Sequence, residues 1–173
     1  MNARLITSLA FLLAASPAFA AGGGGSSEPA PVPKCEGGKV WDKNRKKCVS
    51  KQSQLGNDSI YETGRSLAMQ GRYGEAIEIL SLAADKSDPR ILNYLGYSHR
   101  KQGRVLVGLG YYEEALRVDP DYTLVREYMG EAHLQLGDVT AARKQLAEIE
   151  KRCGKGCAEY AELARQIDAH VKG

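Results

Sequence analysis

The chain has 173 residues, of which 43% are hydrophobic and 26% are charged. A length of this order accommodates one ordinary domain with extensions, and the apolar fraction excludes a chain that is disordered throughout. The formal net charge is only +3, with 24 basic and 21 acidic residues, so the composition as a whole does not indicate binding to nucleic acid or to an anionic membrane.

The first twenty residues have the three parts of a secretory signal peptide. Arg4 and the amino terminus are positive, residues 5–15 form an apolar run, and Ala18 and Ala20 mark a small-x-small cleavage site. The apolar run is short for a bilayer span, although an uncleaved N-terminal anchor is the alternative. We therefore expect residues 1–20 to be removed after Ala20, leaving a periplasmic or secreted protein without a transmembrane segment.

A tether and a small cysteine-containing segment follow. Residues 21–33 are almost wholly Gly, Ser, Ala and Pro, which is the composition of a flexible tether. In residues 34–50, paired glycines and an Asp-Lys-Asn sequence suit turns, and a Val-Trp pair suits a short strand. The sequence therefore predicts a small hairpin over 34–50, followed by a polar linker at 51–56.

Four cysteines are an even number, and an exported chain meets an oxidising compartment. Three pairings are possible. We predict the local one, Cys35 with Cys48 and Cys153 with Cys157, because each pair closes a short loop. The first of these bonds would close the hairpin, at a gain of roughly 3 kcal/mol in the chain-entropy treatment of such loops.

The hairpin combines an excess of basic side chains with the single tryptophan of the chain. These residues are Lys39, Trp41, Lys43, Arg45, Lys46 and Lys47. Such a surface suits weak contact with an anionic surface, a glycan or a phospholipid head group. The plainer alternative is a solvated, charged hairpin whose tryptophan packs on its own disulfide.

A pattern of small residues repeats three times beyond the linker. The first set is Gly64, Gly71 and Ala76, and the same offsets of seven and five residues begin again at Gly96 and at Gly130. A period of 32 and then 34 residues is typical of a solenoid whose units stack to bury a common core. The apolar residues between these marks recur with helical spacing, so we predict three helix pairs.

These pairs divide at about 57–88, 89–122 and 123–156, and residues 157–173 predict a capping helix for the open end of the array. Asp88 and Pro89 have the residue types of an N-cap and a first helical position, so the second unit begins there. In the first unit we expect the cap at Asn57 or Asp58.

The mid-helix glycines of the pattern need a physical reason, because glycine costs about 1 kcal/mol relative to alanine inside a helix. They are Gly64, Gly96 and Gly130. We expect each of them to allow close approach to a small residue on the second helix of its own unit. The three expected partners are Ala76, Gly108 and Ala142.

On these residues the chain resembles the tetratricopeptide repeat (TPR) family. The middle unit carries the family pattern at Leu95, Gly96, Gly103, Tyr112, Ala115, Asp119 and Pro120. The resemblance covers about 57–156 and implies an all-α, right-handed α-solenoid of three helix-turn-helix repeats with a C-terminal capping helix, preceded by the disulfide hairpin. Gly108 stands where the family prefers alanine, which predicts a softer helix. The layout is also similar to small exported alphaproteobacterial TPR proteins with an N-terminal two-cysteine hairpin.

The resemblance implies a ligand groove, because members of this family usually bind along a concave face built from the first helix of each unit. The residues of that face are Tyr61, Arg65, Met69, Arg90, Asn93, Tyr97, Arg100, Lys101, Leu124, Glu127, Glu131, Leu134 and Gln135. Arginine and tyrosine suit an acidic peptide, whereas a solvated face with internal salt bridges is the alternative. The family's carboxylate-clamp pattern does not match, since Tyr61 and Tyr94 replace its lysine and asparagine.

No set of residues in the sequence indicates catalysis. Cys153 and Cys157 lack further metal ligands nearby in the sequence and are spaced more widely than redox pairs, which favours a structural staple. We expect His99 and His133 to be packing residues. The sequence thus predicts no enzyme, no metal and no cofactor.

The resulting hypothesis is a non-enzymatic exported scaffold that binds another protein or a peptide, and no nucleic acid, in its concave groove. The alternative is a cell-envelope protein that binds carbohydrate or anionic surfaces through the Cys35–Cys48 hairpin.

Overall fold

The computed structural model describes residues 32–37, 39–50 and 55–172. Within these ranges a two-stranded hairpin precedes seven helices. The elements are β1 (Val40–Asp42), β2 (Lys47–Val49), α1 (Asn57–Met69), α2 (Tyr73–Leu80), α3 (Pro89–Lys101), α4 (Val105–Val118), α5 (Thr123–Gln135), α6 (Val139–Cys153) and α7 (Ala158–Lys172). The signal peptide and most of the tether and linker, which are sequence predictions, lie outside the described residues.

The helices pack in chain order. α1 contacts α2, α3 contacts α4, and α5 contacts α6; each pair also contacts the next, and α7 packs on both α5 and α6. This arrangement confirms the predicted array of three helix pairs with a final capping helix. The core is correspondingly divided along the array, with one group of buried side chains around Leu80, a second around Tyr112 and a third around Ile149. Such a division is expected when each unit touches only its neighbours.

The helix starts agree with the sequence prediction in one unit and differ in another. At the start of α3, the Asp88 carboxylate accepts a hydrogen bond of 3.0 Å from the backbone N–H of Arg90, and Pro89 is the first helical residue. The prediction that Asn57 or Asp58 caps α1 is wrong, because Gly56 is the N-cap residue and provides no side-chain bond. Both side chains make tertiary contacts instead: Asn57 donates to a backbone carbonyl of the α2–α3 loop, and Asp58 forms an ion pair with Arg90.

The hairpin packs directly on α1 and covers the N-terminal end of the array. Val40 is 1% exposed and belongs to the same core group as Ile60 of α1. The backbone N–H of Lys43 donates to the Ser59 hydroxyl (3.1 Å), and the Thr63 hydroxyl donates to the backbone carbonyl of the strand β1 (3.3 Å). The segment that the sequence predicted as a separate basic hairpin is therefore also part of the first core.

Two disulfides are present in the structure. Cys35 is bonded to Cys48, which closes the hairpin, and Cys153 is bonded to Cys157 in the turn between α6 and α7. The second bond joins the last repeat to its capping helix, which is the position expected for a structural staple. The pairing in the exported protein stays a prediction.

In the middle unit, α3 and α4 meet through two glycines. A Cβ atom added at Gly108 would lie 2.8 Å from the carbonyl oxygen of Gly96 and 3.1 Å from Cβ of Arg100. A Cβ atom added at Gly96 would lie 2.6 Å from the ring of Tyr112. The predicted close approach is therefore present here. Gly108 tightens this crossing. The expected softness of α4 stays a prediction.

The two outer glycines of the pattern contact larger residues than we expected. The nearest atoms to a Cβ added at Gly64 belong to the side chain of Leu80, and those nearest a Cβ added at Gly130 belong to Leu163 of α7. The predicted partners Ala76 and Ala142 are buried but are not the residues that these glycines accommodate. In both units the missing side chain makes room for a leucine.

We expect Gly108→Ala to lower the free energy of unfolding by about 1–3 kcal/mol, because the added methyl group would overpack the α3–α4 crossing. Gly110→Ala is the matched control: it lies on the same helix, and a Cβ there meets no atom within 4 Å. It should raise stability by up to about 1 kcal/mol through helix propensity. Urea unfolding of both variants checks this, and equal effects of the two substitutions would contradict the close crossing.

Candidate functional site

An open groove of about 700 Å³ lies between α3, α5 and α7. Six residues that we expected on the concave face line it: Tyr97, Arg100, Lys101, Glu131, Leu134 and Gln135. The other lining residues are Tyr128 of α5 and Arg165, Gln166, Ala169 and His170 of α7. The capping helix thus forms one wall of the groove.

The floor of the groove contains a buried ion pair. The side chain of Arg100 is 1% exposed, and its Nη2 lies 2.6 Å from Oε2 of Glu131, off line for a hydrogen bond. Its Nε donates to the hydroxyl of Tyr112 on α4 at 3.3 Å. The other carboxylate oxygen of Glu131 accepts a bond of 2.7 Å from the Gln166 amide on α7. These contacts connect four helices in the order α4, α3, α5 and α7.

Burial disfavours the charged form of the Arg100 guanidinium, but the interactions with Tyr112 and Glu131 outweigh this effect. Desolvation lowers the pKa of Arg100, whereas Tyr112 and Glu131 act to raise it, and the result is a pKa above the usual value. Arg100 is therefore a fixed positive charge. Since Glu131 lies against it, the carboxylate in the groove lining is already compensated.

Tyrosines form the aromatic side of the groove. The rings of Tyr97 and Tyr128 lie 5.0 Å apart, and the Arg100 guanidinium lies 5.5 and 5.7 Å from their centroids. The ammonium of Lys101 is 5.7 Å from the centroid of Tyr97. Burial raises the pKa of both tyrosines, so their hydroxyls remain neutral donors and acceptors at physiological pH.

The cations at the mouth of the groove are Lys101 and Arg165. Lys101 is exposed, and Arg165 forms an ion pair of 2.5 Å with Glu162, which is also on α7. His170 lies on the same side of α7. With Glu131 paired to Arg100 and Arg165 paired to Glu162, Lys101 is the exposed cation that supplies the positive excess of the groove lining.

The N-terminal part of the predicted concave face forms a separate cluster, outside the groove lining. The Nε of Arg65 donates to the hydroxyl of Tyr94 at 2.9 Å. Arg90 lies 4.9 Å from the ring centroid of Tyr61 and bonds to the carboxylates of Asp88 and Asp58. Both arginines already have partners within the fold, and those of Arg90 are the internal salt bridges of the alternative interpretation.

Two more predicted groove residues are buried. Asn93 is 0% exposed, and neither end of its amide has a hydrogen-bond partner among the described residues. Glu127 is 7% exposed, and burial, with the nearby charge of Glu131 second, raises its pKa to about 8. Met69 is exposed and Leu124 is half-buried, and both lie outside the lining.

The wall formed by α7 is the part of the groove that the sequence analysis missed. Leu163 and Ile167 are buried against the array, which leaves the neighbouring face of α7 toward the groove. The residues on that face are Arg165, Gln166, Ala169 and His170, spaced four apart in two pairs. The helical periodicity of the segment contained this information, but we interpreted it only as a cap.

The basic hairpin is partly neutralised within the fold. Lys43 forms an ion pair with Glu62 of α1 at 3.1 Å, and Arg45 lies 3.5 Å from the buried Asp42. Lys39, Lys46 and Lys47 are exposed, and Trp41 is half-buried. The cationic surface of the hairpin is therefore smaller than its sequence indicates.

The remaining candidate residues have structural surroundings. The sulfurs of Cys153 and Cys157 lie within 4.8 Å of a Glu159 oxygen, but they are bonded to each other and offer no thiolate to a metal. His99 stacks on Tyr111 with 5.3 Å between ring centroids, and burial lowers its pKa. In the described ranges, no helix has both the length and the apolar character required to cross a bilayer.

We expect Glu127 to make stability depend on pH. Between its ordinary pKa of 4.5 and about 8, the folded state holds a proton that the unfolded state lacks, so its contribution falls as pH rises through this window. Glu127→Gln should therefore match the parent near pH 4 and exceed its stability by about 3 kcal/mol at pH 7. Unfolding measured across this range, with the exposed Glu113→Gln as control, tests this. A gain that is independent of pH would contradict it.

Comparison with known proteins agrees with this fold. Residues 94–156 match the tetratricopeptide repeat family, and no curated protein matches the chain significantly. The first TPR of Spaghetti (RPAP3), solved bound to the HSP90 peptide SRMEEVD, superposes with a TM-score of 0.58 at 19% identity, covering 68% of this chain and 94% of that one.

Two bacterial structures are similar to the same extent. The Yersinia enterocolitica type III secretion chaperone SycD, in complex with a peptide of the translocator YopD, has a TM-score of 0.55 at 18% identity and covers 66% of this chain and 88% of its own. PcrH, in complex with the chaperone-binding region of PopD, has a TM-score of 0.58 at 21% identity, with 70% and 97% covered. The chain therefore has a TPR-like helical-repeat fold, and residues 94–156 are the part that matches the tetratricopeptide repeat family.

Proposed function

We propose that this protein is a non-enzymatic scaffold that binds an acidic segment of a partner protein in the groove between α3, α5 and α7. The observation that carries the proposal is the composition of that groove. Tyr97 and Tyr128 form one wall, and Lys101 and Arg165 lie at the mouth. The floor contains the ion pair between Arg100 and Glu131. Such a site places the positive charge of Lys101 beside a rigid aromatic surface, while Arg165 is bound to Glu162 of its own helix.

Aromatic side chains give large contact area at a small entropic cost, and they are frequent among the residues that dominate binding energy. Tyr97 and Tyr128 are held by contacts with each other and with Arg100. They would bind an apolar side chain of the segment without first losing much rotamer freedom. Leu134 and Ala169 continue this apolar surface across the groove.

Charge favours an acidic rather than a basic segment. Lys101 and Arg165 lie at the mouth, where they would raise the rate of encounter with a negatively charged peptide. This contribution is expected to fall with ionic strength, because exposed charges are screened within about 10 Å at 0.1 M salt.

The solved relatives support the class of ligand. The RPAP3 domain was solved with a peptide of HSP90, SycD with a peptide of YopD and PcrH with a region of PopD. Each of these TPR folds holds a segment of another protein. The residues that would select a segment in this chain are its own, since the carboxylate-clamp positions are occupied by tyrosines.

We further propose that the scaffold acts outside the cytoplasm, in the periplasm or as a secreted protein. The support is the leader pattern in residues 1–20, the even number of cysteines and the layout shared with small exported alphaproteobacterial proteins. Mass spectrometry of the unreduced protein after export should find Ala21 at the amino terminus and the 35–48 and 153–157 disulfides. An intact leader or free thiols would contradict this part of the proposal.

Reversing both cations at the mouth should abolish selectivity for acidic segments. Binding is measured by fluorescence anisotropy with fluorescein-labelled twelve-residue peptides of glutamate, glycine and one leucine anchor. These acidic peptides should bind the parent chain more tightly than matching peptides that carry lysine in place of each glutamate. We expect Lys101→Glu combined with Arg165→Glu to weaken the acidic peptide tenfold or more, equivalent to about 1.4 kcal/mol. Arg65, Arg90 and Arg100 are unsuitable for this test because each is bonded to a residue of another helix, whereas the Arg165–Glu162 pair is exposed and lies within α7.

Lys144→Glu is the matched control, since Lys144 is exposed on α6 and outside the groove lining. It changes the net charge in the same direction and should alter affinity less than twofold. A variant with Lys101→Glu alone carries the same charge change as the control. Equal losses of peptide affinity in these two variants would indicate a general charge effect. Unchanged binding in the double variant would place the peptide elsewhere.

A further inference from the structure

A second cavity, of about 420 Å³, lies between the hairpin and the first helix pair. The hairpin is bonded to α1 at Ser59 and Thr63, in the first half of that helix. Beyond Thr63 the two elements separate, and the cavity opens between residues 32–37 of the hairpin segment, the second half of α1 and the start of α2. Its volume is within the range of small-molecule sites, roughly 300–1,000 Å³.

The lining combines an apolar surface with a row of hydrogen-bonding groups. Trp41, Leu67 and Ile79 contribute the apolar part. Ser66 and Gln70 follow one another along α1, with the Gln70 amide donating to the Ser66 hydroxyl at 2.9 Å. The remaining carbonyl oxygen of the amide and the second lone pair of the hydroxyl leave this row able to form further bonds.

The charges around the cavity are unequal. Arg72 is bound to Glu75 by two bonds of 2.8 and 2.5 Å, so that pair adds little net charge. Lys34 and Lys39, both exposed, lie at the mouth with the single carboxylate of Glu36. The opening therefore has a positive excess.

We propose that this cavity binds a short acidic saccharide. A pyranose ring has an apolar C–H face and a rim of hydroxyl groups, which matches an apolar surface bordered by an amide and a hydroxyl. A carboxylate on the sugar would pair with Lys34 or Lys39. The site is separate from the groove, and it differs from a general basic surface because one wall is the hairpin segment and the other is formed by α1, α2 and the turn between them.

The acidic peptide used for the groove tests whether the cavity accepts a protein segment instead of a sugar. The hairpin disulfide is next to the site, since Cys35 is among the lining residues.

Trp41 is the only tryptophan of the chain, so its fluorescence reports on this cavity and not on the groove, where the aromatic residues are tyrosines. Titration of the full chain with trigalacturonic acid should give a saturable change in tryptophan emission. Maltotriose, a neutral trisaccharide, should bind at least fivefold more weakly. The absence of a saturable change up to about 10 mM acidic sugar, beyond the millimolar range of weak specific binding, would overturn the proposal.

Lys34→Ala combined with Lys39→Ala should weaken the acidic sugar at least fivefold. The matched control is Lys46→Ala combined with Lys47→Ala, which removes the same charge from exposed positions of the hairpin outside the lining and should leave affinity within twofold. Equal losses of sugar affinity in the two double variants would contradict binding in the cavity and indicate a diffuse basic surface instead. A response of Trp41 to the acidic peptide but not to the sugar would overturn the ligand class.

The groove and cavity proposals can fail independently. Lys101→Glu with Arg165→Glu should leave the sugar response of Trp41 unchanged, because neither residue lines the cavity. Amide shift mapping by NMR provides the second measurement. Shifts confined to residues 32–41 and to α1 and α2 support the cavity, whereas shifts in α5 and α7 contradict it.

Discussion

The guanidinium of Arg100 joins α3, α4 and α5 beneath the groove. It is almost fully buried, lies against Glu131 and Tyr112, and stacks beside Tyr97 and Tyr128. Removing one partner of such a buried pair costs about 3–5 kcal/mol, because a charge is left without compensation. The pair therefore restricts α3 and α5 to one relative position, and through the Gln166 bond it extends this restriction to α7.

The close crossing of α3 and α4 gives Arg100 its position. A methyl group at position 108 would lie 3.1 Å from Cβ of Arg100. The absence of a side chain at Gly108 therefore leaves room for Arg100. Gly108, the residue of the small-residue pattern that departs from the family, thus lies next to the buried Arg100. Scaffold and groove are coupled at this point, since the glycine that shapes the repeat also makes room for the residue that organises the site.

The same ion pair determines the electrostatics of the groove. With Glu131 held by Arg100, the cations at the mouth face no free carboxylate in the groove lining. At the other end of the array, Arg65 and Arg90 are bound to Tyr94 and to aspartates. Among the arginines and lysines of these two clusters, Lys101 at the end of α3 is exposed and keeps its charge available. The chain places one candidate site against its capping helix and another beneath its hairpin, and the repeats separate the two.

The fold could be predicted because its signals are local. The spacing of small residues, the Asp88–Pro89 start and the helical periodicity are all read within one unit, and the structure agrees with them. The site was predictable only in part, because availability of a charged side chain depends on partners far away in sequence. Arg100 finds Glu131 thirty-one residues later, and nothing near either residue indicates which arginine will be buried. The packing of Val40 on α1 could not be predicted either, because an apolar residue at this position is equally compatible with an isolated hairpin.

A double-mutant cycle on Arg100 and Glu131 tests the central claim most directly. Arg100→Met and Glu131→Leu each remove one charge, and urea unfolding of the parent, both single variants and the double variant gives the coupling energy. We expect each single variant to lose about 3 kcal/mol or more and the double variant to lose clearly less than the sum, with a coupling of about 1–3 kcal/mol. Losses that add to within about 0.5 kcal/mol would show that the two residues act independently, and would contradict a groove held together by their pairing.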